Sequence, residues 1–236
     1  MERMEGITTA KEFIDTNYPD CLAALLCGSV ARGEATASSD LDILIIASQE
    51  IQSYRKSFRE YGWVIEAFIS SQKFNEEKIQ PPRSNHNPAY LTSWTEGIIL
   101  KDQDNFARNL KERAIVILEQ GPGPLTQQEI TRYRYVITDW LDNLIESQTY
   151  QEGLFIAYEL VVKAAELFLA HNRCWIGERK WLYQALQRSE HHHAKQLIDA
   201  LEHFYRTGEK DRLVEVIESI LELVGGRLYE GYSDLG

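Results

Sequence analysis

Three acidic side chains and a glycine-serine pair carry the chemistry that this sequence suggests. Asp40 and Asp42 stand two residues apart at the start of the apolar run Leu41 to Ala47. In an extended strand, residues i and i+2 point to the same side, so both carboxylates share one face while Leu41 and Ile43 take the other. Two carboxylates side by side repel, and one is driven toward its protonated form unless a cation lies between them. Mg²⁺ suits such oxygen ligands and takes substrate phosphates and waters as further ligands. The plain alternative is a turn at Ser38-Ser39 followed by an edge strand. Glu66 shifts the balance, because it interrupts the apolar run WVIEAFI, Trp63 to Ile69. A buried unpaired charge is costly, and the sequence offers Glu66 no evident local cation. A metal shared with Asp40 and Asp42 accounts for all three acids; the alternative is an edge strand with Glu66 facing water.

Upstream, the apolar run Cys21 to Cys27 ends at Gly28-Ser29. Glycine lets backbone approach a ligand closely. Val30 to Gly33 can open a short helix whose free N–H groups face an anion. Ser29 offers a hydroxyl to phosphate, and Arg32 a fixed forked charge. The chain has no G-x-x-x-x-G-K-[ST] loop and no G-x-G-x-x-G after a strand. A nucleotide would therefore be held by metal and Gly-Ser.

These residues need a sheet to position them. The runs Cys21 to Cys27, Leu41 to Ala47 and Trp63 to Ile69 read as buried strands, with a short fourth at Ile98 to Leu100. Thr8 or Thr9 is expected to cap a helix over Ala10 to Asn17. Ser48 to Tyr61 reads as a polar helix, and Asn105 to Gln120 as an amphipathic one. Gln80 to Pro88 contains three prolines and reads as a loop; its His86 is a surface residue on this reading. Gly121-Pro122-Gly123-Pro124 punctuates the chain. Helical stretches follow: Thr126 to Ser147, Gly153 to His171, Lys180 to Arg188, His191 to Arg206 and Asp211 to Tyr229. The expectation is an α+β protein, with a small mixed sheet flanked by helices over 1–120 and an all-α bundle over 121–236.

The 236 residues carry a formal charge of −11. Nucleic-acid binding relies on Lys and Arg at phosphates, so a nucleic-acid partner is disfavoured; excess negative charge suits solubility or a cationic small substrate. Three cysteines without close spacing argue against disulfides and a zinc site and point to the cytoplasm. No membrane span is evident.

Gly28-Ser29, the ten residues 30 to 39 and then Asp40-x-Asp42 resemble the signature of the polymerase-β-type nucleotidyltransferase superfamily. The string GSVARGEATASSDLDILI is similar to its small bacterial members, the kanamycin, streptomycin, lincosamide and minimal nucleotidyltransferases. The resemblance covers about residues 10 to 118, and the helical remainder is like that of the antibiotic-modifying members. It implies two Mg²⁺ ions on Asp40 and Asp42, with Glu66 as third carboxylate. It implies Ser29 at the terminal phosphates of ATP or another NTP; Gly28, Arg32 and Ser39 are further candidates for nucleotide binding. The reaction implied is transfer of a nucleoside monophosphate to an acceptor hydroxyl, releasing pyrophosphate. The leading acceptor is a small hydroxylated molecule of the aminoglycoside kind, which would make the chain an antibiotic-resistance factor. A protein or RNA end is the alternative, as is a non-catalytic nucleotide sensor. Some relatives share a site across a homodimer.

In the family a base can come from the helical part. Glu159 is the candidate here, against the plain reading of an exposed Glu159–Lys163 pair; Glu166 reads as surface. HNRCWIGERKWLYQAL, residues 171 to 186, is similar to a recurrent stretch in relatives, and Lys180 in it is a candidate for the triphosphate. The plain reading packs Trp175, Trp181 and Leu182 in the bundle and leaves Lys180 solvated. His191, His192 and His193 point in different directions on a helix and make a poor metal site. Tyr133, Tyr135, Trp140, Tyr150 and Tyr158 read mainly as core packing, with an acceptor pocket as the alternative.

Overall fold

A computed structural model describes residues 4–80 and 87–233. Residues 81–86, which hold most of the proline-rich loop and His86, lie outside the described residues. Among the described residues the chain divides into two compact units, one of 4–80 and 88–120, the other of Asn87 and 121–233.

The first unit is a five-stranded mixed sheet, order β3-β4-β2-β1-β5, with helices packed on it. Its strands are β1 (Ala23–Cys27), β2 (Leu41–Ala47), β3 (Tyr54–Glu60), β4 (Trp63–Ser71) and β5 (Ile98–Asp102). β2 and β4 run parallel; the other neighbours are antiparallel. On one face, helix α1 (Gly6–Asn17) lays Ala10, Phe13 and Ile14 on Leu41, Ile43, Ile65 and Ala67. Every second residue of β2 and β4 is thereby fixed inward, and register cannot slip without exposing the whole apolar set. α1 starts earlier than the sequence suggests, and its cap is Glu5: the carboxylate accepts from the N–H groups of Ile7 and Thr8.

The expected helix over Ser48 to Tyr61 is wrong. Residues 54–60 form edge strand β3, joined to β4 by the two-residue turn Tyr61-Gly62, both at positive φ (53° and 78°). Two such residues match the right-handed twist of a hairpin. Tyr54, Lys56 and Phe58 alternate with Arg55, Ser57 and Arg59, and the Phe58 ring meets Phe13 edge-on at 4.9 Å. The Arg- and Lys-rich composition, which favours helix locally, here blunts a sheet edge.

α2 (Gly28–Ala31) lies between β1 and β2; after β4 come α3 (Gln72–Lys78), α4 (Ala89–Glu96) and, past β5, α5 (Phe106–Gln120). α3 and α4 had no signal in the apolar pattern. Asp102 at the end of β5 caps α5, accepting from the N–H groups of Ala107 and Arg108.

In the second unit α6 (Gln127–Glu146) and α7 (Tyr150–His171) each open with a full capping box, Thr126/Glu129 and Thr149/Glu152. α7 is the central helix, burying ten residues against α6, α8 (Lys180–Arg188), α9 (His192–Thr207) and α10 (Asp211–Glu222). α10 stops well short of Tyr229. Gly225 and Gly226 take positive φ, and the Arg134 guanidinium donates to the carbonyls of Gly225, Gly226 and Arg227. Among the described residues, no helix is long and apolar enough to cross a membrane.

Phe58→Ala removes the side chain that ties β3 to α1. Urea denaturation of the variant is expected to show a loss of about 2 kcal/mol, below that of a fully buried Phe because Phe58 is half-buried.

Candidate active site

β2 and β4 lie side by side with Asp42 directly opposite Glu66. Asp40 enters one pleat before, so three carboxylates leave one face of the sheet. An oxygen from each lies within 4.8 Å of the others, and all three side chains are half-buried. Their flanking neighbours Leu41, Ile43, Ile65 and Ala67 are wholly buried on the other face. The alternation that builds the core therefore also aims the acids.

Gly28 closes the site from β1. Its φ is +73°, and a Cβ built there would fall on the Asp42 carboxylate oxygen. The chain then turns through α2, and Ser29 Oγ donates to Ser39 Oγ at 3.1 Å, while Ser39 Oγ also accepts from the Thr36 N–H at 2.8 Å. The linker 30–39 is thus folded back so that both of its ends sit beside the acids. Arg32 donates to Glu34 at 2.8 Å and to Glu96 at 3.1 Å.

The electrostatics follow from crowding. Burial, then the charges of Asp40 and Glu66, push the Asp42 carboxyl up to about 6; Arg55 and Arg32 partly offset them. A hard all-oxygen donor set whose middle carboxyl resists ionisation fits a divalent ion such as Mg²⁺. Cys27, in register with Asp42, donates from Sγ to the Ser93 carbonyl, and burial raises its thiol to about 12. It is no nucleophile at neutral pH.

One expectation fails here. Glu66 has a local cation: Arg55 of β3 donates from Nη2 to Glu66 Oε1. It was hidden because residues 54–60 read as helix. The signal that could have found it is the alternation of 54–59 ahead of a Tyr-Gly turn and a certain strand.

The other candidates lie in the second unit. Glu159 is exposed on α7, where it lines a groove of about 630 Å³ with Trp140, Glu146, Glu152 and Phe155. Lys163 pairs with Glu166 at 2.6 Å, not with Glu159. Lys180 opens α8, exposed, its ammonium 5.0 Å from the Trp181 ring. Trp181 is itself exposed, so it does not pack the bundle as its apolar size suggests; Leu182 does. Of the five aromatics expected mainly in the core, Tyr150 and Tyr158 are exposed, Tyr133 and Trp140 lean on the core, and Tyr135 stacks on Tyr232 at 3.9 Å. His191 and His193 lie against Phe168.

Residues 7–101, which contain the turn and all three acids, match the family model described as "Nucleotidyltransferase domain". This part of the chain is a nucleotidyltransferase domain. A solved structure, a nucleotidyltransferase-like protein from Exiguobacterium sibiricum 255-15, is similar at 11% identity and a TM-score of 0.48, covering 93% of this chain and 74% of its own. The search of curated proteins returned no match. The chemistry of the nucleotidyltransferase domain is nucleotidyl transfer, in which a divalent ion and an NTP are the expected ligands of the acidic site.

Two outcomes test the site. In the metal-free protein burial and the neighbouring Asp40 and Glu66 charges make the folded chain hold the Asp42 proton more tightly than the unfolded chain does, the carboxyl rising from its ordinary 3.8 to about 6. Stability must fall as pH rises across that window, where the native state holds more protons. Asp42→Asn is expected to melt above the wild type at pH 8, with the difference gone by pH 4, in thermal scans without metal. Gly28→Ala faces both the positive φ and the Asp42 oxygen. It is expected to cost at least ~1 kcal/mol and to weaken Mn²⁺ binding in calorimetry.

Proposed function

We propose that the protein transfers a nucleoside monophosphate from an NTP, with ATP the first candidate, to a hydroxyl of a small acceptor, releasing pyrophosphate in a Mg²⁺-dependent reaction. The observation that carries this reading is the convergence of Asp40, Asp42 and Glu66 beside the Gly28-Ser29 turn. Asp40, Asp42 and Glu66 would hold the metal, two ions by the family resemblance. Bound there, such ions offset charge developing at phosphorus and on the leaving oxygen.

The chain's own residues do the rest. Gly28 keeps the backbone close to Asp42, so the triphosphate can reach the acids without a side chain intervening. Ser29 and Ser39, already hydroxyl to hydroxyl, offer donors for terminal phosphate oxygens. Arg32 adds positive charge on the same side. Lys180 is a further candidate for the phosphates. Removing the acceptor's proton falls to a carboxylate, with Glu66 and Glu159 the candidates.

Support for a cationic acceptor comes from the helical unit taken by itself, whose groove beside Glu159 has the matching chemistry. Glu146, Glu152 and Glu159 make it anionic, and Trp140 and Phe155 give it aromatic faces; Phe155 is 81% exposed. Anionic walls suit ammonium groups, and flat rings suit sugar faces or cations. An aminoglycoside-like acceptor fits that chemistry, and a resistance role would follow from it.

The test is a screen with labelled ATP and Mg²⁺ against aminoglycosides, lincosamides and nucleotides, read by acceptor-dependent pyrophosphate release. Asp42→Asn is expected to lower release by at least about a thousandfold with the fold intact. Full turnover by that variant rules out the carboxylate mechanism. A nucleotide-sized mass gain on a protein or RNA end would move the acceptor to that class, and tight analogue binding without turnover would indicate a sensor.

A further inference from the structure

The Arg55–Glu66 pair raises a question about order of events. Glu66 belongs to the cluster that suits a cation, yet a guanidinium already neutralises it. The register explains how. Ser57, Glu66, Asp42 and Cys27 form one row across four strands. Arg55 is two residues from Ser57 and so on the same face, opposite Phe68. Its guanidinium rests on the Phe68 ring at 5.3 Å from the centroid and reaches back to Glu66. Arg55 is mostly exposed, its side chain at 55%, whereas that of Glu66 is at 20%. The pair has one solvated partner and one half-buried partner.

We propose that Arg55 is a stand-in countercharge: it holds Glu66 before the metal arrives and yields it when metal and nucleotide bind together. The inference rests on reading the three carboxylates as a metal site. A fixed positive charge on one of three ligands opposes a divalent ion arriving alone. When the ion arrives with a triphosphate, the freed guanidinium gains a new anionic partner of the kind its fork suits. Binding of ion and nucleotide is then coupled through Arg55, each favouring the other by the same factor. The strength of this coupling is bounded by what a solvated ion pair contributes, which is small. Arg55 thus weakens solitary metal binding by a modest factor and leaves it exchangeable. It is a positioning residue, acting through Glu66.

The experiment is calorimetry of Mn²⁺ binding to the full chain, with and without a non-hydrolysable ATP analogue, on wild type, Arg55→Ala, Arg55→Gln and Arg59→Ala. Arg59 lies on the same face of β3 but opposite Val64, so it controls for the general loss of one positive charge. Without nucleotide, Arg55→Ala and Arg55→Gln are expected to bind Mn²⁺ about threefold to tenfold more tightly than wild type, and Arg59→Ala within about twofold. The analogue is expected to raise Mn²⁺ affinity less in the Arg55 variants than in wild type. Unchanged or weaker Mn²⁺ binding in both Arg55 variants overturns the proposal. So does an equal gain in Arg59→Ala, or undiminished coupling to the analogue. Asp42→Asn separates the two levels: if it binds Mn²⁺ as wild type does, the metal-site reading fails and this inference with it. If it loses the ion while the Arg55 variants match wild type, only the role of Arg55 falls.

Discussion

Like charges do not converge on a protein surface unless something holds them there. In this molecule the force is the packing of α1 against the opposite face of the sheet. Ala10, Phe13 and Ile14 bury Leu41, Ile43, Ile65 and Ala67, and alternation then leaves Asp42 and Glu66 no other side to occupy. The apolar contacts outweigh the cost of burying and crowding the acids, and that cost survives as a raised Asp42 pKa, burial contributing most and the Asp40 and Glu66 charges next. The acids are therefore brought together by the core, and their suitability for a cation is a by-product of strand geometry. Gly28 and the folded-back linker matter only because that geometry brings them to the same spot.

Much of this is legible in the residues. The buried strands announce themselves as apolar runs, and the acids as exceptions within them: Asp42 and Glu66 break the pattern where core residues should stand. Their common face follows from the period of two, and the Gly-Ser pair from its place at the end of β1. What the residues do not disclose is pairing between distant segments. β3 carries few apolar residues because it is an edge strand, so its signal lies only in the weak alternation of 54–59 and in a two-residue turn. Misreading it hid Arg55, and with it the countercharge of Glu66. α3 and α4 escaped for a similar reason: they are short, and their buried residues, such as Asn75, Leu91 and Trp94, form no long amphipathic repeat.

The helical unit shows the opposite balance. Its helices follow from periodicity, and the expected start at Thr126 is the cap of α6, whereas α7 opens at Tyr150, three residues before the expected Gly153, because the capping box Thr149/Glu152 extends it. Ends are harder. α10 stops where Arg134, ninety residues earlier in sequence, gathers the carbonyls of a glycine turn. The surface is harder still. Phe155, Tyr158 and Trp181 look like core residues by type, yet the burial of α7 and α8 is satisfied by their other faces. An aromatic residue declares its size in sequence, and only the packing decides which side it faces.

The placement of Cys27 has a practical consequence. Its sulfur lies next to Asp42 in register but is held under α4 by a bond to the Ser93 carbonyl, and Cys21 is buried in the core packed beneath α1. Alkylating reagents can reach these thiols only when the sheet parts from its helices. The rate at which Cys27 is capped is thus a clock for the local opening of the catalytic face. It ticks without any ligand present and gives a built-in label-free-mutant report on how firmly the acids are held.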